Sequence, residues 1–170
     1  GQCELMYMYD KLFSDYSLTV SQILLTKYVL LEDRRQNVEN AVERLLVLGT
    51  IPVVNENDTV AIDELELEMG ENDSLAAIMA KIAKADMLVI LSDIDGLYDK
   101  NPKENPDAKI INVVEEVTDE ILSMGTDASE GGRGGMRTKL EAARLVTRFG
   151  GKVLIANGRI PYVIGKIFDG

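Results

Sequence analysis

The chain has no histidine and a single cysteine, Cys3. Without imidazole there is no Ser-His or Cys-His nucleophile pair, no imidazole general base and no His-ligated metal site. A lone cysteine closes no intrachain disulfide, and no signal-peptide pattern is present, so the expected compartment is the cytoplasm. No apolar run approaches the ~20 residues that a membrane helix needs. Cations are also scarce. Lys+Arg number 18 against 29 Asp+Glu, a formal net charge of −11, which argues against a nucleic-acid surface as the main partner. What remains is a chain of 170 residues, 46% hydrophobic and 28% charged, with the balance of a globular fold. That length suits one domain, with room for two lobes.

Periodicity divides the chain into alternating helices and strands. The spacing of Leu5, Met8, Tyr9, Leu12 and Phe13 predicts a helix, and the chain opens at Gly1 already inside it, as if an upstream part were missing. Residues 19–25 read as a strand covered on both faces. Residues 33–48 form a helix with Val38, Ala41, Val42, Leu45 and Leu46 on one face, stopped by Gly49. Ile51 to Val54 is a short buried strand with a loop from Asn55 at its carboxyl end. Residues 62–68 alternate like an exposed hairpin or edge strand. Asn72 or Asp73 is placed to cap a helix reaching about Lys84. Residues 87–91 are the clearest core strand, and Pro102 and Pro106 mark a surface loop. Thr118 caps a short helix to Met124. A glycine-dense loop then leads into a helix over 136–149 that buries Leu140, Ala143, Leu145 and Val146. A last strand covers 152–156, and Pro161 is placed to start a final helix. The expected class is α/β, with a mostly parallel sheet and helices on both faces. Ligands in such sheets bind beyond the carboxyl ends of the strands.

Four polar runs lie at such places. Asn55-Glu56-Asn57-Asp58 offers amides to a substrate carboxylate and Asp58 to a substrate ammonium; the structural alternative is an Asx-turn ending the strand. Gly70-Glu71-Asn72-Asp73-Ser74 sets amide and acid groups at a helix start, where backbone N–H groups attract anions, the alternative being an ordinary N-cap. Ser92-Asp93 leads into Gly96-Leu97-Tyr98 and suits a ribose or adenine edge, unless it is only a tight turn. Gly131-Gly132-Arg133-Gly134-Gly135-Met136-Arg137-Thr138-Lys139 combines close backbone approach, a helix N-terminus and three cations, the parts of a polyphosphate site. A glycine-rich linker is its alternative. It is not a P-loop, because Lys139 lies four residues beyond the last glycine and no Ser or Thr follows it. In this order the runs point to ATP-dependent phosphoryl transfer onto a small carboxylate. Such catalysis is mostly positioning and charge neutralisation. A side-chain carboxylate with a pKa of about 4.3 is already ionised, so the missing histidine removes nothing the reaction needs.

The stretches IPVVNENDTVAIDE, GENDSLAA, ILSDIDGLYDKNP and GGMRTKLEAA resemble the amino acid kinase superfamily and, within it, the glutamate 5-kinases. The resemblance covers essentially the whole chain, and NENDTV with a nearby G-x-ND is its specific part. It implies an open α/β/α sandwich, present in part, with residues 1–71 in the substrate-binding lobe and 72–170 in the nucleotide-binding lobe. It also implies transfer from ATP, with Mg²⁺, to L-glutamate, giving L-glutamyl 5-phosphate in the first step of proline biosynthesis. Proline as feedback inhibitor and a homo-oligomer follow from it too. Carried over residue by residue, Asp58 and Asn72 hold glutamate with Asn55 and Glu71 nearby, and Asp73 orients the catalytic lysines. Ser92 and Asp93 meet the nucleotide. Arg133, Gly134, Gly135, Met136, Arg137, Thr138 and Lys139 wrap the phosphates, with Lys139 neutralising the transferring group. No residue is assigned as a metal ligand.

Three departures stand out. The family's N-terminal section, with a lysine on its first strand, is not in the sequence, which would leave this polypeptide inactive alone. Glu71 stands where an Asp is usual, and Arg133 where a Thr is usual. The RNA-binding-like PUA domain of some members is also lacking, so no nucleic-acid role follows. The rival readings are a uridylate or aspartate kinase of the same superfamily, and a non-catalytic amino acid sensor. The paired NEND and G-x-ND runs count against the first. Asp73 and Lys139, which a sensor does not need, count against the second.

Overall fold

Helix-stop chemistry and apolar periodicity account for most elements of the computed structural model. It describes residues 1–25, 32–57, 71–102, 104–125 and 135–169, the side chains of 32–34 and 71 excepted. The chain divides into two units, Gly1–Leu67 and Glu68–Gly170. Among the described residues no helix is long and apolar enough to cross a membrane.

The first unit contains α1 (Gln2–Ser14), β1 (Thr19–Leu25), α2 (Glu32–Val47) and β2 (Thr50–Glu56). β1 and β2 pair in parallel from Thr19↔Thr50 to Leu25↔Glu56, and the Asn57 N–H extends the ladder to the Leu25 carbonyl at 2.8 Å. α2 lies between them in sequence, as a parallel connection requires. Val38 and Val42, one turn apart on α2, are buried. Gly49 follows α2 with φ of 71°, the left-handed conformation that ends helices and that glycine adopts at least cost.

Two expectations need correction here. β1 is not covered on both faces, since Leu25 is its one buried residue and Leu24 is exposed. The reading of continuous apolar strands assumes a wide, doubly covered sheet, whereas among the described residues this sheet has two strands. β2 also runs further than expected. Asn55 and Glu56 are paired within it, opposite Leu24 and Leu25, and do not form a loop. The alternating segment 62–68 lies outside the described residues.

The second unit contains α3 (Glu71–Ile82), β3 (Met87–Ser92), α4 (Asp119–Met124), α5 (Met136–Arg148), β4 (Lys152–Asn157) and α6 (Val163–Asp169). β3 and β4 pair in parallel from Met87↔Lys152 to Ser92↔Asn157. α3 starts at Glu71, so Asn72 and Asp73 sit in its first turn and are not its cap. Glutamate is a good helix former, and acidic residues are favoured at helix starts, so the helix takes in Glu71. α3 ends with Lys84 at φ of 52° and the Ala85 N–H donating to the Ala80 carbonyl at 2.9 Å, a closed helix end with a non-glycine residue in the left-handed position. Thr118 caps α4 as expected, its hydroxyl oxygen accepting from the Ile121 N–H at 3.3 Å. Pro161 does not begin α6, because Tyr162, at φ of 58°, separates it from the helix.

α5 is the hub of this unit. Met136, Leu140 and Ala143 pack with Leu97, Val117 and Leu122 on one side. Ala142 and Val146 pack with Ala77 and Ala80 of α3 and Ile90 of β3 on the other. Val153 and Ile155 of β4 touch both groups. The loop between β3 and α4 is pinned by a Tyr98↔Ile110 bridge, by the Lys109 N–H donating to Asp99 Oδ1 at 2.8 Å, and by a Lys100–Asp107 ion pair at 2.6 Å.

Gly125, the C-cap of α4, fits against the first turn of α5. A Cβ at this position would lie 2.8 Å from the Arg137 amide nitrogen and 2.9 Å from its Cα, closer than real Cβ contacts allow. Since the opposing atoms are backbone, they cannot swing aside. Gly125→Ala should therefore lower stability by about 1–3 kcal/mol, the usual cost of overpacking. An unchanged urea midpoint would show that α4 and α5 separate without cost.

Candidate active site

The site is built by the packing of α3 on α5. Asp73, Ala77 and Ala80 recur at helical spacing on α3, and Thr138, Ala142 and Val146 do so on α5. Alanine at Ala77 and Ala142, both fully or almost fully buried, keeps the contact between the helices thin. Side-chain size at the contact sets interhelical distance. At the amino-terminal end of this seam the alanines give way to polar groups. Lys139 Nζ donates to Asp73 Oδ2 at 3.0 Å, and Thr138 Oγ1 reaches the same oxygen at 2.8 Å. The first turns of α3 and α5 are thereby held side by side.

Burial makes this contact more than a surface ion pair. The Lys139 side chain is 10% exposed and that of Asp73 18%. In such surroundings each charge depends on the other, because an unpaired buried charge is costly. The Thr138 hydroxyl also lies 2.8 Å from the Gly135 carbonyl, and its single proton serves one of the two acceptors at a time. Two helix N-termini and one ammonium thus meet, with one carboxylate between them. Each N-terminus carries partial positive charge, so the locality favours an anion.

The other predicted residues take varied places. Gly135 is the N-cap of α5, and no side chain caps that end. Met136 turns its side chain into the core, and Arg137 pairs with Glu141 at 2.9 Å on the outside of the helix. What Met136 can offer a ligand is therefore its backbone N–H. Asn72 is exposed on the first turn of α3, next to Asp73. Ser92 closes β3, its hydroxyl 3.3 Å from Asp93 Oδ1. Asn55 belongs to the first unit, where its Oδ1 accepts from the Glu56 N–H at 2.9 Å. Asp58, Arg133 and Gly134 lie outside the described residues, as does the side chain of Glu71.

Two features were missed in the sequence. One is the Thr138 hydroxyl bonded to Asp73, which was assigned to phosphate alone. The other is Asn157, at the carboxyl end of β4, whose Nδ2 donates to Asp95 Oδ1 at 2.8 Å. The rule that ligands gather at strand carboxyl ends applies to β4 as much as to β3, and would have found it. A separate hollow of about 410 Å³ is lined by Asp99, Lys100, Asn101, Glu104, Asn105, Ser123 and Met124, none of them a predicted site residue. Among the described residues no group of three or more acidic or cysteine side chains is arranged to hold a metal ion.

Comparison with known proteins places the chain in a family. The model of the amino acid kinase family matches residues 1–157. A glutamate 5-kinase from Streptococcus uberis is 45% identical over 174 residues, covering all of this chain and 64% of that protein. One from Clostridium perfringens is 47% identical, with 65% of its length covered. The chain therefore spans a little under two thirds of these curated relatives. Among solved structures, the T. acidophilum isopentenyl phosphate kinase product complex aligns with a TM-score of 0.62 over 96% of this chain and 62% of that one. At 21% identity that likeness concerns the fold alone. With the family pattern running through both units, and with parallel strand pairs flanked by helices in each, the chain belongs to the amino acid kinase family.

Proposed function

We propose that this chain is the core of a glutamate 5-kinase, transferring the γ-phosphoryl group of ATP to the side-chain carboxylate of L-glutamate. The observation that carries the reading is the buried Lys139–Asp73 pair between the first turns of α3 and α5. The identity of 45–47% to proteins of that name, along the full chain, supports glutamate as the acceptor.

The donor set suits a polyphosphate. The first turn of α5 has no side-chain cap, so its backbone N–H groups are directed toward the segment that precedes it. Lys139 supplies the ammonium that neutralises charge on the transferring group, where electrostatic preorganisation contributes most. Asp73 holds that ammonium in one place, and Thr138 holds Asp73. The acceptor carboxylate is ionised at neutral pH and attacks the γ-phosphorus without a general base, and the bond to the β,γ-bridging oxygen breaks as ADP leaves. Mg²⁺ bound with the nucleotide would neutralise phosphate charge. Phosphate oxygens and water would be its main ligands, since this cation usually keeps such a shell.

In the substrate roles, Asn72 beside Asp73 and Asp58 after β2 hold glutamate, with Asn55 and Glu71 near. Ser92, Asp93, Arg133, Gly134, Gly135, Met136, Arg137 and Thr138 serve the nucleotide. Feedback inhibition by proline, a cytoplasmic site of action and a homo-oligomer complete the reading. For assembly, the support is α1, which has no buried residue and exposes Tyr7, Met8 and Leu12.

The direct assay is hydroxamate formation from glutamate, ATP and hydroxylamine, run on the chain and on a chimera that completes it with the remaining third of a relative. Glutamate-dependent product in the chimera supports the proposal. ADP release with UMP or aspartate but not glutamate would replace it with a rival kinase, and proline binding without hydroxamate would favour a sensor. In the active protein, Lys139→Ala should lower kcat about 10²–10³-fold with a smaller change in KM, the usual scale for one preorganised electrostatic group. Asp58→Ala should instead raise the KM for glutamate about tenfold or more. Equal changes in both parameters for both variants would contradict these roles. Stability offers a separate check. Asp73→Ala should cost about 2–3 kcal/mol by removing the carboxylate from the buried pair, and adding Lys139→Met should recover part of that loss. A double variant no more stable than Asp73→Ala would mean the charges are not coupled.

A further inference from the structure

We propose that Asn157 is a positioning residue for the nucleotide, holding the Asp93–Asp95 turn against the end of β4 through its side-chain amide. The inference rests on the reading of Ser92 and Asp93 as nucleotide contacts.

The turn leaves β3 with two carboxylates in close succession, Asp93 and Asp95, in a region where the bound ligand is itself anionic. Such a turn needs a donor to fix its shape. Among the described residues, the carboxyl end of β4 supplies two. The Gly158 N–H donates to the Ser92 carbonyl at 2.8 Å, extending the β3–β4 ladder by one bond. Asn157 Nδ2 donates to Asp95 Oδ1, also at 2.8 Å, across 62 residues of sequence. Gly158 packs closely on β3, where a Cβ would come 3.2 Å from the Leu91 Cβ.

The orientation of the Asn157 amide is set from both sides. Its Oδ1 accepts from the Arg159 N–H at 3.0 Å, which leaves the NH₂ group facing Asp95. Rotating the amide by half a turn would set oxygen against carboxylate and NH₂ against N–H, so one state is strongly preferred. The turn after β4 thus orients the donor that the Asp95 carboxylate meets. That restraint turns Asp95 toward β4, and keeps its charge from moving freely around Asp93 and the ligand.

This donor–acceptor pair can be reversed, which gives a specific test. Asn157→Asp keeps the acceptor for the Arg159 N–H but sets a like charge against Asp95. Asp95→Asn alone still accepts from Asn157. Combining the two restores a donor–acceptor pair with the roles exchanged. The four chains are compared for MgADP binding by titration calorimetry, for the melting temperature of the ligand-free protein, and for amide hydrogen exchange at residues 93–96.

The expected result is about fivefold weaker MgADP binding for Asn157→Asp, the upper end of the scale for an exposed charge contact. Exchange in the turn should be faster, while the melting temperature stays within about two degrees. The double variant should return to within about twofold of the parent. The inference is overturned if Asn157→Asp binds MgADP as the parent does, if the double variant is no better than Asn157→Asp, or if melting falls while affinity holds. A parent that binds no MgADP either as the chain or as the chimera would overturn the nucleotide reading itself, and this inference with it. The parent titration therefore tells the two failures apart.

Discussion

A carboxylate and an ammonium taken out of water together hold each other in place, and the structure of the second unit depends on such a pair. Asp73 and Lys139 meet at 3.0 Å with little of either side chain exposed. Neither could sit there alone at reasonable cost, so the contact fixes the relative setting of α3 and α5 at their first turns. Thr138 adds a second bond to the same carboxylate oxygen. The result is an ammonium whose position is specified by two helices, at a point where two helix dipoles also present their positive ends. A group placed so firmly is suited to stabilising charge that appears only briefly.

The rest of the unit supports that placement. Ala77, Ala80 and Ala142 let the helices lie close, and Val146 and Ile90 fill the space below. On its other side α5 is held by Leu97, Val117 and Leu122. Gly125 brings α4 against the Arg137 backbone, which steadies the turn from which Thr138 and Lys139 project. Packing, which carries no chemistry, thus sets the geometry of groups that do. The same division holds at the β3–β4 end, where ladder bonds and the Asn157 amide shape a polar turn.

Much of this was legible in the sequence for identifiable reasons. α2 ends where Gly49 adopts positive φ, and Thr118 caps where a hydroxyl precedes an acidic start. The apolar spacing of Leu140, Ala143, Leu145 and Val146 named the inner side of α5, where all but the half-buried Leu145 are buried, because amphipathic periodicity is a local signal. The run ending in Lys139 reads as a helix start, and α5 begins there at Met136. What it did not reveal was that Thr138 serves Asp73, since their positions are 65 residues apart and only the α3–α5 packing joins them. The contact of Asn157 with Asp95 spans 62 residues and is hidden in the same way, although the place of Asn157 at a strand's carboxyl end is not. The extent of β2 was misjudged because asparagine reads as a turn residue, while ladder pairing with β1 overrode that preference. Local chemistry is written in short stretches, and tertiary pairing is not.

The central claim is that nucleotide phosphates settle against the start of α5, within reach of an ammonium that Asp73 holds. The most direct measurement is a crystal structure of the protein with a non-hydrolysable ATP analogue and Mg²⁺. The account predicts phosphate oxygens on the N–H groups at Gly135 and Met136, with Lys139 Nζ turned toward the γ-phosphate while still bonded to Asp73. A nucleotide bound elsewhere in the unit, with the Asp73–Lys139 pair enclosed and apart from it, would contradict the account.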